Sequence, residues 1–341
     1  MALSAVGQTS PATTTDVQEK FYRSATDVLT AAQLDSSSAT VTQATEQLLA
    51  FKDSDVKFNL LDLMEILRNR RHEGWVLAAY PDPKTGDPLI GAGFSLDLPA
   101  REHPQNDQLN PHPFLEPSSA ELWQAAGLDS KRLQAILDRF DDRLAAWGRK
   151  RFRLRIKTLA PQITEDEATA LLRVYAIQAI YNAKGYCRDF DQLTPSQQMA
   201  LSQLVYQMGV NLQEFSQFLD LLNNYPEMSN TGASLISRNA GATNADYWKT
   251  VQQSLIQSQW ARLYRGRAVS VIAMLDPQYV EEPQISEQHV CAMLRPANVR
   301  RRTGRSAASY QLASCTGRPS KRHSRSTAHR SNFRLQQNRG N

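Results

Sequence analysis

The sequence predicts an α+β protein that is mainly helical and contains one small β element. Apolar residues recur at helical spacing along much of the chain between Val41 and Leu275. Several of these stretches begin at Ser or Thr with Glu or Gln three residues later, a pattern typical of helix N-termini. By contrast, residues 83–88 are rich in Pro, Gly and Asp and predict a turn, and residues 89–94 predict a strand that returns from it.

The predicted helices follow one another along the chain. Each has an apolar face at helical spacing, and three have an N-terminal capping signal, at Ser118, Thr164 and Thr194. Gly209 is the expected stop signal of the helix that begins after Thr194. The approximate helical stretches are residues 41–51, 58–67, 119–123, 133–140, 165–177, 195–208, 215–222, 247–264 and 267–275. The second of them, residues 58–67, is expected to lead directly into Glu73.

Bulk composition indicates a globular protein with a sizeable core. The chain has 341 residues, of which 41% are hydrophobic and 21% charged. No run of about 18 apolar residues predicts a membrane span, and the first residues do not resemble a secretory signal. Three cysteines are too few for a disulfide framework. Synthesis in a reducing cytoplasm is therefore the expectation.

The net charge of +5 conceals an uneven distribution. Residues 288–341 contain twelve Lys or Arg and no Asp or Glu, which leaves residues 1–287 with 27 basic and 34 acidic residues and a net charge of −7. Such a tail could bind polyanions. A solvated, disordered extension is the preferred interpretation, and nucleic acid is not expected as a partner.

Two acidic residues are the strongest candidates for chemistry. Glu73 is expected at the end of a helix, and Asp82 follows nine positions later at the turn. Two carboxyl groups that face each other across a gap, one protonated and one ionised, are what hydrolysis of a glycosidic bond requires. No cofactor is expected, because His72-Glu73 begins a His-Glu-x-x-His zinc pattern but Val76 occupies the position of the second His.

Three separated segments carry an ordered set of further motifs. They are Glu73-Gly74, Tyr80-Pro81-Asp82 and Ile90-Gly91-Ala92-Gly93; then residues 163–168, 193–201 and 205–209; and finally Ser258-Gln259-Trp260 with Arg267-Ala268. In order and approximate spacing this set resembles the phage-type muramidases, the T-even phage lysozyme family of glycoside hydrolase family twenty-four. The resemblance implies a lysozyme-like fold in which a small β-hairpin lobe and a helical lobe flank a cleft.

The resemblance also implies three parts of the chain. Residues 1–55 are expected to be a weakly ordered N-terminal extension with short helices, and residues 281–341 a basic disordered tail. Between them, residues 56–280 form the catalytic domain. A helical insertion near residues 99–160, which begins with a long proline-rich loop, has no counterpart in a minimal family member.

Functional roles follow from the resemblance residue by residue. Glu73 is implied to be the general acid, and Asp82 the residue that positions water or stabilises positive charge on the sugar. Arg267 would lie close to Glu73, and Gln207 would line the sugar cleft. Leu89 stands where the family usually has a Thr that helps to place the attacking water. Trp260 and Tyr206 are expected to be core residues.

The implied activity is cleavage of the β-1,4 bond between N-acetylmuramic acid and N-acetylglucosamine. The substrate would be bacterial peptidoglycan, reached in the periplasm or cell wall through a holin, a secretion system or a carrying particle. Because Leu89 cannot hydrogen-bond to water, either Thr85 or another group substitutes for the missing Thr, or catalysis is weakened. In the second case the protein would be a lysozyme-like glycan-binding or interaction module.

Overall fold

The computed structural model describes residues 39–69, 74–82, 85–105, 107–147, 159–224 and 244–294. Within these ranges the chain is rich in helix and has a small antiparallel sheet, so the predicted fold class, α+β and mainly helical, is confirmed at that level. The helices are α1 Ala39–Leu49, α2 Leu60–Arg68, α3 Ser119–Ala125, α4 Ser130–Trp147, α5 Glu165–Tyr186, α6 Pro195–Met208, α7 Ser216–Asn223, α8 Asn244–Ile256, α9 Gln259–Leu263, α10 Arg265–Ala273 and α11 Pro283–Met293.

The predicted helix starts are formed by capping boxes. Ser118, Thr164 and Thr194 each accept a backbone N–H three residues on, and the Glu or Gln at that position accepts the cap residue's own N–H. The predicted stop at Gly209 is also confirmed. Gly209 ends α6 with φ of +50°, a backbone conformation that residues with a Cβ rarely adopt.

The sheet contains three strands, β1 Val76–Pro81, β2 Pro88–Gly91 and β3 Phe94–Ser95, in the order β1-β2-β3. Both pairings are antiparallel, with Leu89 opposite Tyr80 on one side and Ser95 on the other. The predicted returning strand is confirmed as β2, but it ends at Gly91 and does not continue to residue 94. A turn at Ala92 and Gly93 follows it, because φ of +82° at Gly93 reverses the chain there.

Helix α2 does not lead directly into Glu73 as expected. It ends at Arg68, where Asn69 leaves the helical conformation, and a strand begins at Val76. Asp82 thus follows a strand rather than a helix. The last four residues of β1 are all buried, so its sequence does not alternate between apolar and polar residues. The pattern that usually indicates a strand is therefore absent from this segment.

One hydrophobic core unites most of the described elements, including the helices of the insertion. Trp123 of α3 is fully buried, and Leu133 and Phe140 of α4 join the same cluster as Leu171 of α5. The helical character expected near residues 99–160 is present in α3 and α4. These helices share the core of the rest of the protein instead of forming a separate layer.

Both ends of the described chain are helical. The helix predicted over residues 41–51 is observed as α1, and its Ala44 and Leu48 are buried in the core. Residues 283–293 form α11, which packs against α10 through Cys291 and Val269, although a disordered tail was expected from residue 281. Apolar burial on one face explains the helix. The basic tail from residue 295 onwards and residues 1–38 lie outside the described residues.

No helix in the part of the chain that is described is both long and apolar enough to cross a membrane.

Candidate functional site

Asp82 organises the turn that follows β1. Its carboxylate Oδ1 accepts the Thr85 backbone N–H at 3.0 Å, and its own N–H donates to the carbonyl of Asp87 at 2.8 Å. Its carbonyl also accepts the Gly86 N–H at 3.0 Å. Asp82 is half-buried, so its side chain has a defined orientation and access to solvent. Glu73 lies outside the described residues, and its position relative to Asp82 remains a prediction.

Gln207 lies in the last turn of α6 and is directly bonded to Trp260. The Trp260 indole N–H donates to Gln207 Oε1 at 3.0 Å. Trp260 is buried, at 4% exposure, and belongs to the core cluster, as expected. A buried indole N–H needs an acceptor, so this bond fixes the orientation of the half-buried Gln207 amide.

Tyr206, the neighbour of Gln207, connects α6 to the sheet. Its hydroxyl donates to the carbonyl of Ala92 at 3.0 Å, in the turn between β2 and β3. Its ring contacts that of Tyr175, which in turn packs edge-on against Phe94. Tyr206 is buried, as the sequence indicated. The C-terminal end of α6 is therefore held against the sheet on one side and α9 on the other.

Arg267 occupies the first turn of α10 and is buried, at 7% exposure. Its backbone N–H donates to the carbonyl of Tyr264 at 2.9 Å, and its guanidinium carbon lies 5.7 Å from the Tyr264 ring centroid. A buried guanidinium is stable only with acceptors or aromatic faces around it. Arg267 is therefore not the solvated helix residue that an isolated arginine usually is.

Leu89 and Thr85 lie near the position where the resemblance led us to expect a threonine. Leu89 is half-buried in β2, and its hydrocarbon side chain offers no hydrogen bond. Thr85 is exposed in the turn, where its hydroxyl oxygen accepts the Asp87 N–H at 3.2 Å. The Thr85 hydroxyl proton stays available as a donor close to Asp82.

A cavity of about 600 Å³ adjoins Gln207 and Trp260. Phe215, Leu263 and Tyr264 supply apolar wall, while Asn211 and Glu214 are among its polar residues. Glu214 is exposed, and partial desolvation of its carboxyl raises the pKa. Asp82, Leu89 and Arg267 are not among the lining residues.

Sequence reasoning missed these wall residues. Tyr264 had a weak signal, because it stands four residues after Trp260 and would share its face in the helix predicted over residues 247–264. Asn211 and Glu214 carried no such signal. They reach the cavity because the chain turns at Gly209 into a short 3₁₀ segment, Gly209–Glu214.

Comparisons with known proteins found nothing similar: no family model, no curated protein and no solved structure matches this chain. The functional argument therefore depends on the residues and on the contacts among them.

Proposed function

We propose that this protein is a muramidase that hydrolyses the β-1,4 bond between N-acetylmuramic acid and N-acetylglucosamine in peptidoglycan. One observation carries the proposal: the three motif segments, far apart in sequence, meet in space. Tyr206 of the second segment bonds to Ala92 of the first, and Gln207 of the second accepts from Trp260 of the third. Convergence of the three segments on one helix end is what a shared site requires.

In this proposal the chemistry is acid-base hydrolysis. Glu73 donates a proton to the leaving sugar oxygen, and Asp82 stays ionised and directs a water molecule or stabilises positive charge on the ring. The Thr85 N–H orients Asp82 Oδ1, so the carboxylate need not reorganise during the reaction. A separation of roughly 6.5–9.5 Å between the carboxyl groups would leave space for water and give inversion at the anomeric carbon.

Two further residues support the reacting groups. Arg267, buried at the start of α10, orients Glu73 and favours its ionised form once the proton has been given up. Gln207, whose amide is held by Trp260, presents its amide nitrogen to the sugar. The proposal places the sugar cleft between the sheet and the helices. The protein is made in the cytoplasm and reaches the wall through a holin, a secretion system or a carrying particle.

A second function is favoured by Leu89. A half-buried hydrocarbon side chain stands where the family usually has a water-placing hydroxyl, so the same scaffold could bind glycan without hydrolysing it. A non-hydrolytic glycan-binding module would retain Gln207, Trp260 and the adjoining cavity, which require no water activation.

Turbidity clearing of purified cell walls distinguishes these functions. We expect the unsubstituted protein to clear walls, and Glu73→Gln to lower the rate by roughly 10²–10⁴-fold because a general acid is lost. Glu65→Gln, a matched change at an exposed residue of α2, serves as the control and should clear walls normally.

Analysis of the reducing ends of the products identifies the bond that is cut. New N-acetylmuramic acid reducing ends support a muramidase. If Glu73→Gln and the unsubstituted protein both leave walls intact while walls still sediment the protein, the binding-module function replaces the enzyme.

A further inference from the structure

The cavity beside Gln207 and Trp260 extends beyond the proposed sugar contact. The 3₁₀ segment Gly209–Glu214 and the start of α7 form one wall, and the junction of α8 and α9 forms the other. Its volume of about 600 Å³ is within the range of roughly 300–1,000 Å³ that is usual for sites that bind small molecules. Among its lining residues, the proposed hydrolysis uses only Gln207 and the Trp260 bond that holds it. We call it the Glu214 cavity.

Core contacts hold both walls of the cavity in place. The Tyr186 hydroxyl donates to the carbonyl of Gly209 at 3.0 Å, and Leu212, within the 3₁₀ segment, is fully buried. On the opposite wall the Ser258 hydroxyl donates to the carbonyl of Leu255 at 2.6 Å, where α9 begins. A cavity with both walls fixed is preformed, so a ligand would not have to order them.

Glu214 gives the cavity its charge. Among the described residues that line it, Glu214 alone has a charged side chain, which is exposed and has no ion-pair partner in the described part of the chain. Arg262 of α9 donates to the backbone carbonyl of Gln257 at 3.5 Å and is not a lining residue. Partial desolvation raises the pKa of Glu214. An accessible carboxylate without a partner favours a cationic ligand and disfavours an anionic one.

The other lining groups are uncharged, and several of them are open to a ligand. Phe215 and Tyr264 are half-buried and Leu263 is 46% exposed, and together they form an apolar wall. The side-chain amides of half-buried Asn211 and exposed Gln217 line the same cavity. An amide both donates and accepts, so a peptide group can bond to it in either orientation. The ligand that fits is a peptide with an aliphatic side chain that ends in an ammonium group.

We propose that the Glu214 cavity binds the peptide stem of peptidoglycan and selects stems with a free side-chain ammonium group, as on a lysine. The ammonium group meets Glu214, the aliphatic arm lies on Phe215 and Leu263, and the amides bond to the peptide groups. The choice of a peptidoglycan stem rests on the proposed function, because the stem is attached to the N-acetylmuramic acid unit and the cavity adjoins Gln207. The need for a cationic peptide follows from the cavity alone.

A consequence for the substrate follows from the charge of the stem. An amino group that has been used in a cross-link is an uncharged amide, which Glu214 does not attract. Stems that are not cross-linked are therefore the preferred ligands.

Calorimetric titration of the full chain with two peptides tests the proposal. Nα-acetyl-L-lysyl-D-alanyl-D-alanine has the side-chain ammonium group, and its Nε-acetylated form lacks that charge. We expect the charged peptide to bind roughly fivefold or more tightly, and added salt to reduce the difference. Neither peptide contains a glycosidic bond, so the unsubstituted protein is used.

Two variants assign the preference to the cavity. Glu214→Gln keeps the size of the side chain and removes its charge, so the two peptides should then bind with nearly equal affinity. Leu263→Ser should weaken both peptides by a similar factor, because contact with the aliphatic arm does not depend on charge. Glu46→Gln, at an exposed residue of α1, is the matched control and should keep the preference for the charged peptide.

The outcomes distinguish this proposal from the muramidase itself. If the unsubstituted protein binds both peptides equally or binds neither, or if Glu214→Gln keeps the preference, the Glu214 cavity is not a site for a charged stem, even where walls are cleared. A preference that Glu214→Gln abolishes, in a protein that leaves walls intact, supports the stem site and overturns the hydrolytic function.

Discussion

At the scale of single residues, Asp82 carries two roles that can be separated. Its Oδ1 accepts the Thr85 N–H, which is a structural bond of the turn, and its negative charge is what the proposed chemistry uses. An isolated aspartate in a turn is most often structural. The two roles respond differently to Asn and Ala, because an Asn side chain keeps the acceptor oxygen and loses only the charge.

We therefore expect Asp82→Asn to retain the melting temperature and to lower wall hydrolysis by roughly 10²–10⁴-fold. Asp82→Ala should lose both, with the free energy of unfolding reduced by about 1 kcal/mol because the turn bond is lost. Thermal unfolding and turbidity clearing measure the two effects. Asp62→Asn, at an exposed residue in the first turn of α2, is the matched control for hydrolysis. Normal hydrolysis by Asp82→Asn would leave Asp82 with its structural role only.

Under the proposed function, Thr85 is the candidate to place the attacking water. Thr85→Val has nearly the same shape and keeps the backbone bond to Asp82, but it has no hydroxyl to place water or to accept the Asp87 N–H. We expect its rate of wall hydrolysis to fall by about tenfold, whereas Thr85→Ser should stay near the parent rate. Steady-state assays on both variants check this. If adding Leu89→Thr to Thr85→Val restores the rate, the water lies between the two positions. If Thr85→Val, Thr85→Ser and the double variant all hydrolyse walls at the parent rate, Thr85 has no part in placing the water.

At the scale of secondary-structure elements, capping boxes set where the helices begin. Thr164 starts the longest described helix, α5, and its hydroxyl accepts the Glu167 N–H at 3.2 Å. Thr164→Ala should lower the free energy of unfolding by about 1 kcal/mol, and Thr164→Ser should change it little, because serine caps as well. Chemical denaturation measures both. An unchanged stability of Thr164→Ala would mean that tertiary packing alone starts α5.

The same cap predicts a pH dependence. The Thr164 N–H, more than the contact with Arg132, holds the pKa of Glu167 below its usual value. A folded-state pKa below the unfolded value gives stability that is complete above the unfolded pKa, near 4.5, and is lost as the pH falls through the folded pKa. Glu167→Gln should therefore show a smaller loss of melting temperature between pH 6 and pH 3 than the parent, with Glu165→Gln as its exposed neighbour for comparison. Parallel curves for parent and Glu167→Gln would remove Glu167 from this linkage.

At the scale of the whole molecule, the insertion shares the core with the proposed catalytic elements. Trp123 is fully buried, and its indole N–H donates to the Asp129 carbonyl at 2.9 Å. Trp123→Ala should lower the free energy of unfolding by roughly 3–5 kcal/mol in one cooperative transition. Leu109→Ala, in the same insertion but 73% exposed, should change it by less than about 0.5 kcal/mol. Two separate transitions for Trp123→Ala would mean that the insertion folds independently.

Local signals in the sequence determined the class of this protein, the approximate helices and their capped starts at Ser118, Thr164 and Thr194, because a cap depends on residues three positions apart. They also singled out Asp82, whereas Gln207 and Arg267 were implied by the resemblance. Tertiary structure decided what depends on distant partners: the strand after Glu73, the burial of Arg267, the bonds Tyr206–Ala92 and Gln207–Trp260, and the Glu214 cavity. The reason is physical: β1 exists through pairing with β2, and a cavity exists through walls from separate parts of the chain. Neither leaves a pattern within a few neighbouring residues.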